Sequence, residues 1–163
     1  MPYIKEIGGH YPVIGKNCFI ADNATIVGDV EMGDHCSIWF NAVVRGDVHS
    51  IRIGNNVNIQ DVSIVHCTYK KASVKIGNNV SIAHRAIIHG CTIGDNVLVG
   101  MGAIIMDGAV VEKNSIVAAG ALVSKDMKVE SGSVYAGVPA KKIKEIDKEL
   151  LEGEVLRIAN AYT

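Results

Sequence analysis

Aliphatic residues recur every six positions along most of this chain, unlike the 3.6 spacing of a helix or the alternation of a half-buried strand. From Ile14 the rows read IGKNCF, IADNAT, IVGDVE, MGDHCS, IWFNAV and VRGDVH. The period resumes at Ile53, Ile59 and Val65, again at Ile76, Ile82 and Ile88, and then runs from Ile93 through Val99, Ile105, Val111, Val117, Val123 and Val129 to Tyr135. If the aliphatic position is i, then i+3 is often Asn or Gly, as at Asn17, Asn23, Asn56, Asn79, Asn96, Gly102 and Asn114. These residues tolerate a left-handed backbone at a corner. Position i+4 is usually small, as at Cys18, Ala24, Cys36, Ala42, Ala86 and Ala103. One large aliphatic, one corner residue and one small residue per six predict an all-β fold of short strands stacked into a parallel β-helix. A β-sandwich would need hairpin turns at spacings of about 8–12 residues, which the unbroken sixes oppose.

The period stops after Pro139, where Leu151, Val155, Ile158 and Tyr162 recur at i, i+4, i+7 and i+11 with Asp147 available as an N-cap. The chain therefore divides into a β-helix domain over 1–140 and a C-terminal α-helix within a tail over 141–163 that packs on it. Gly153 weakens that helix in its middle.

Composition narrows the function. Apolar residues make up 48% of the chain but aromatics only 5%, so the interior must be built from small aliphatics. Sixteen basic against 17 acidic residues give a net charge of −1, with no basic stripe to hold nucleic acid. No apolar run approaches the ~20 residues that span a bilayer, and the opening MPYIKEIGGHYPVIG lacks a basic region followed by an apolar core. A cytoplasmic protein without membrane partners is expected, with Cys18, Cys36, Cys67 and Cys91 as reduced thiols.

The six-residue pattern resembles that of hexapeptide-repeat proteins, which implies a left-handed helix with three faces and 18 residues per coil. With that register, Ile14, Met32 and Ile53 lie on face one, Ile20, Ile38 and Ile59 on face two, and Ile26, Val44 and Val65 on face three. Nine positions separate Val44 from Ile53 and eleven separate Val65 from Ile76, so each interval should carry a corner loop, the second one containing Tyr69, Lys70 and Lys71. His66 and His89 then follow the aliphatic residue of face three in successive coils, roughly 4.8 Å apart by strand spacing. His84 stands two positions after Ile82 on face two and cannot easily turn its own corner to join them. A neighbouring subunit must supply it, through a heterologous contact that closes into a threefold ring. The same counting puts Arg45 one coil below His66 and Asp61 one coil below His84, which suggests an ion pair between Arg45 and Asp61 of the adjacent subunit.

Three segments make the resemblance specific: NAVVRGD (41–47), NIQDVSIVH (58–66) and AHRAIIHGC (83–91) are similar, in order, to the motifs of the γ-class carbonic anhydrases. The resemblance implies a homotrimer whose intersubunit sites bind Zn²⁺ (or Fe²⁺ or Co²⁺) through His66, His84 and His89. It implies that a metal hydroxide hydrates CO₂ to bicarbonate, with Gln60, Arg45, Asp47 and Asp61 around the site and Tyr135 of VYAG matching a family tyrosine. Val48 stands where the prototype enzymes carry a glutamate after RGD, the loop after His66 is short and basic, and Gly137 replaces an asparagine. These departures place the chain among shorter homologues, with hydration slow, absent or dependent on another proton shuttle such as His49. His10 and His35 read as ordinary surface and corner residues, and Cys67 as a buried neighbour of a ligand. Two other functions compete: a non-catalytic trimeric metal-binding scaffold, and a hexapeptide acyltransferase or thioester hydrolase.

Overall fold

The computed structural model describes residues 1–162; Thr163, at the end of the expected tail, lies outside the described residues. The chain winds into a parallel β-solenoid of about seven turns. Face two is an eight-stranded sheet whose inward residues stack in one column: Ile20 pairs with Ile38, then Ile59, Ile82, Val99, Val117 and Tyr135. Face three stacks Ile26, Val44, Val65, Ile88, Ile105 and Val123 in the same way. Face one stacks Ile14, Met32, Ile53, Ile76, Ile93, Val111 and Val129. These columns form one continuous core of almost fully buried aliphatics. Each aliphatic gains stability only by lying on its counterpart one coil away, which explains a repeat every six residues.

The corners follow the expected rule and extend it. Asn17, Asn56, Asn79, Asn96 and Asn114 have φ between 54° and 56°, and Gly102 has φ 67°. Asn23 does not share this conformation. Asn56, Asn79, Asn96 and Asn114 also form a ladder in which each Nδ2 donates to the next Oδ1 at 2.9 Å. Val62 (φ 62°) and Arg85 (φ 61°) occupy the same corner position without the small side chain that suits it. A β-branched residue in this region is held under strain by its surroundings.

The loop expected between Val44 and Ile53 is instead a single 11-residue strand, Val43–Ile53. It runs through the corner joining faces three and one, beside the equally bent strand Thr25–Met32. Gly28 and Gly46 pair side by side just before the register shifts: a Cβ on Gly46 would lie 2.5 Å from the Asp29 carbonyl oxygen. The extra residues are thus absorbed as paired strand with an irregular register between Gly28 and Val30. The second interval does form a turn, closed by a bridge between Thr68 and Ala72.

Two features of the tail differ from expectation. Lys141–Glu145 forms a strand antiparallel to Ser133–Ala136, capping the last coil with an edge of exposed charged residues. The helix then starts at the N-cap Asp147, whose Oδ1 accepts from the Leu150 amide at 2.8 Å, and runs from Lys148 to Ala161 with a wider π turn at Leu151–Leu156 around Gly153. Val155 packs on Ile116, Val134 and Leu98, the outward residues of upper face two. Farther down that face the outward residues are Ser37, Asn58 and Ser81, all buried. There Tyr162 lies edge-on to Trp39 with ring centroids 5.2 Å apart.

Candidate metal centre

Strand register brings the face-three histidines together. His66 pairs with His89 across adjacent strands, with Arg45 one coil below His66. His66 Nε2 lies 3.1 Å from Asp47 Oδ1, and His89 Nδ1 lies 2.5 Å from Asp107 Oδ1. A carboxylate only accepts, so these ring nitrogens carry the protons. The two nitrogens left with lone pairs, His66 Nδ1 and His89 Nε2, face each other at 3.1 Å. Two imidazole ligands on one tetrahedral ion, with metal–nitrogen bonds of about 2.0–2.1 Å, have nitrogens roughly 3.3 Å apart. The donor set thus fits a divalent cation, and the carboxylates behind it orient the rings.

Each carboxylate is itself anchored. Asp47 Oδ2 accepts from Arg45 Nη1 at 2.5 Å, and Asp107 Oδ2 accepts from Thr68 Oγ1 at 2.5 Å. Burial pushes both acids up, but hydrogen bonds outweigh it: those from Arg45 and His66 hold Asp47 below its ordinary value, and those from Thr68 and His89 do so for Asp107. Burial lowers the pKa of His66 against the opposing pull of Asp47, which favours the neutral ring a metal requires.

His84 repeats the design on face two, with Nδ1 2.9 Å from Asp61 Oδ2. Its Nε2 is left for another partner. Among the described residues of a single chain, no three His, Cys, Asp or Glu side chains converge to hold an ion. The strained corner residues Val62 and Arg85 immediately follow Asp61 and His84, so the unusual backbone lies where these two side chains are aimed outward.

Several expectations need revision. Arg45 is bound to Asp47 and Asp61 to His84 within the chain, so an Arg45–Asp61 pair between subunits would have to displace both contacts. Tyr135 occupies the inward column of face two, buried three coils above Ile82, roughly 14 Å away by strand spacing. It fills the end of the core and does not reach the histidines of its own chain. The four cysteines, by contrast, are free as expected, and burial pushes the Cys67 thiol up to about 11, which leaves it a poor ligand.

Gln60 is buried, donating from Nε2 to Asn58 Oδ1 at 2.9 Å, while Asn58 donates to Ser81 Oγ at 2.8 Å. It lines a groove of about 360 Å³ together with His84, Met101, Arg157, Ile158 and Tyr162. The contribution of the C-terminal helix to this groove had no sequence signal. Asp107 and Thr68 were also missed, although one coil above His89 the count reaches Met106, beside Asp107.

Comparison with known proteins agrees with the architecture and adds chemistry. Residues 11–46 and 90–125 match a family model described as bacterial transferase hexapeptide (six repeats), and residues 73–105 match the hexapeptide repeat of succinyl-transferase. The chain is 53% identical over 137 residues to a Methanocaldococcus jannaschii protein named "Probable carbonic anhydrase", covering 84% of this chain and 86% of that one. It is 44% identical over 154 residues to a Geobacillus kaustophilus protein named carbonic anhydrase, covering 94% and 84%. The crystal structure of a hexapeptide transferase family protein from Anaplasma phagocytophilum superposes with a TM-score of 0.93 at 41% identity, covering 98% of this chain and 93% of that one.

Proposed function

Because this chain belongs to the γ-class carbonic anhydrase-like family of hexapeptide-repeat proteins, we propose that it hydrates CO₂ to bicarbonate at divalent metal sites shared between the subunits of a homotrimer. His66 and His89 of one protomer and His84 of its neighbour are the ligands. The observation that carries this reading is the pair of lone-pair nitrogens on His66 and His89, 3.1 Å apart, each ring held from behind by a carboxylate. His84 has the same backing from Asp61 but stands at another corner, so a threefold arrangement is the simplest way to complete the set.

Three neutral imidazoles suit Zn²⁺, Fe²⁺ or Co²⁺, and such an ion supplies Lewis acidity that lowers the pKa of a bound water toward ~7. The protein's own groups do the rest. Gln60, fixed through its Nε2 by Asn58, turns an amide oxygen to orient a donor in the groove beside His84. Arg45, partly exposed beside Asp47, provides a fixed positive charge toward the bicarbonate product.

The transferase wording of the matched family models supports acyl transfer as a second reading. A histidine acting there as a general base would need a lone pair free to take a proton from substrate. His84 Nε2 meets that need, but the lone pairs of His66 and His89 face one another, which favours a cation between them. Stopped-flow CO₂ hydration, with the protein loaded separately with Zn²⁺, Co²⁺ and anaerobic Fe²⁺, tests the proposal. The expected result is one ion per chain and turnover with at least one metal. Full occupancy without turnover by any of the three would leave a metal-binding scaffold.

A further inference from the structure

Hydration of CO₂ releases one proton per bicarbonate, and Asp47, whose Oδ1 holds His66 Nε2, also lines a separate pocket. Its volume is about 220 Å³, and its walls include His10, Asp29, Asp47 and His49. Ile7 and Val48 also line it, and at about 30 Å³ per molecule it has room for several waters beside its polar groups.

Two elements build it. Strand Val43–Ile53 supplies Asp47 and His49. The N-terminal turn supplies His10: Gly8 and Gly9 have φ of 63° and 82°, which lets Ile7 and His10 exchange backbone hydrogen bonds at 3.1 and 3.2 Å. The turn folds His10 back over the pocket while leaving it exposed to solvent.

The two histidines differ in what their rings can do. His49 Nδ1 accepts the Ser50 backbone N–H at 2.8 Å, so its proton sits on Nε2 and its lone pair is already engaged. Among the described residues the His10 ring has no hydrogen-bond partner, so either nitrogen can take a proton. The charges facing them are fixed by pairing: Asp29 binds Arg52 at 2.7 Å, and Asp47 binds Arg45 at 2.5 Å. Both acids face the pocket with their carboxylates as hydrogen-bond acceptors.

We propose that this pocket is the proton exit of the site, with His10 exchanging the proton with solvent and His49 orienting the intervening water. The inference rests on the carbonic anhydrase reading above. In hydration, the proton lost when water adds to CO₂ passes through pocket water to a ring nitrogen of His10, which becomes imidazolium and then yields it to buffer. Dehydration runs the same path inward.

The test compares metal-loaded wild type, His10→Ala, His49→Ala and the corner control His35→Asn in weak buffer. His10→Ala should lower kcat by at least about tenfold with kcat/KM retained, and 50 mM imidazole should restore it. The control should match wild type. Separately, ¹⁵N NMR of the metal-free protein should show the neutral His49 ring with its proton on Nε2 and Nδ1 unprotonated. Wild type inactive with all three metals in strong buffer would reject the parent reading and the relay with it. Active wild type with a His10→Ala buffer response unchanged, or a His49 ring that carries its proton on Nδ1, would overturn the relay alone.

Discussion

His66 Nδ1 and His89 Nε2 lie 3.1 Å apart because their strands pair in register and because Asp47 and Asp107 hold the opposite nitrogen of each ring. The separation depends on the carboxylates as much as on the histidines, and this leads directly to a prediction. Asp107→Asn should weaken metal binding about 10–100-fold by loosening His89, while leaving the fold intact. Competition against a chromogenic chelator, with circular dichroism as the folding check, measures it. Affinity within twofold of wild type would mean that Asp107 does not orient the ligand.

His84→Ala should remove the metal even though both remaining histidines are undisturbed. An ion at a hundredfold excess over Kd stabilises the assembled protein by about 2.7 kcal/mol, so chelator should lower the wild-type melting temperature by on the order of 5–10 °C. The variant should not respond to chelator. Equal chelator shifts in the two proteins would put the metal elsewhere.

Acid should destabilise the metal-free protein in two stages. Burial lowers the His66 pKa from 6.5, so below that pH the unfolded chain binds a proton that the folded chain resists. The stability is complete above 6.5 and declines as pH falls through the folded value. Asp47 and Asp107 are also depressed and add a further loss below 3.8. Melting temperatures followed from pH 8 to 3 should show the first decline in wild type and lose it in His66→Asn.

Val62 adopts φ 62° at a corner position where, apart from Arg85 in the next coil, Asn or Gly is usual. Val62→Asn should therefore stabilise the isolated chain by about 1 kcal/mol by relieving an unfavourable left-handed conformation. Urea unfolding gives the sign. If the variant is less stable, packing of the valine outweighs its backbone strain.

Val155 is fully buried against Ile116 and Val134. Val155→Asp should release the helix from face two at a cost of about 2–4 kcal/mol and open the Lys144–Lys148 region to trypsin. Unchanged protease resistance would show that the helix is held mainly through Tyr162 and Trp39.

The solenoid was legible in the sequence because each coil is stabilised chiefly by its immediate neighbours. A column such as Ile20, Ile38, Ile59 and Ile82 needs only an aliphatic residue at each return to face two, and a period records that need directly. The same register placed His66 beside His89 and left His84 on another face. Asp147 announced the helix start by its chemistry, and its Oδ1 does accept the Leu150 amide.

Tertiary structure alone decided what happens where the period breaks. Nine residues between Val44 and Ile53 could form a loop or a bent strand; parallel pairing with Thr25–Met32, through the close approach of Gly28 and Gly46, makes the strand. Tyr135 lies in a motif that points to the site, yet inward burial at the end of a column holds it. Asp107 reaches His89 from the next coil, the helix brings Tyr162 to the groove beside Gln60, and the Gly8–Gly9 turn carries His10 to the pocket behind Asp47. Stacking repeats every six residues and leaves a periodic trace in sequence. Side chains meeting across corners and from the two ends of the chain depend on excursions that occur once, and a contact made once has no period by which to be read.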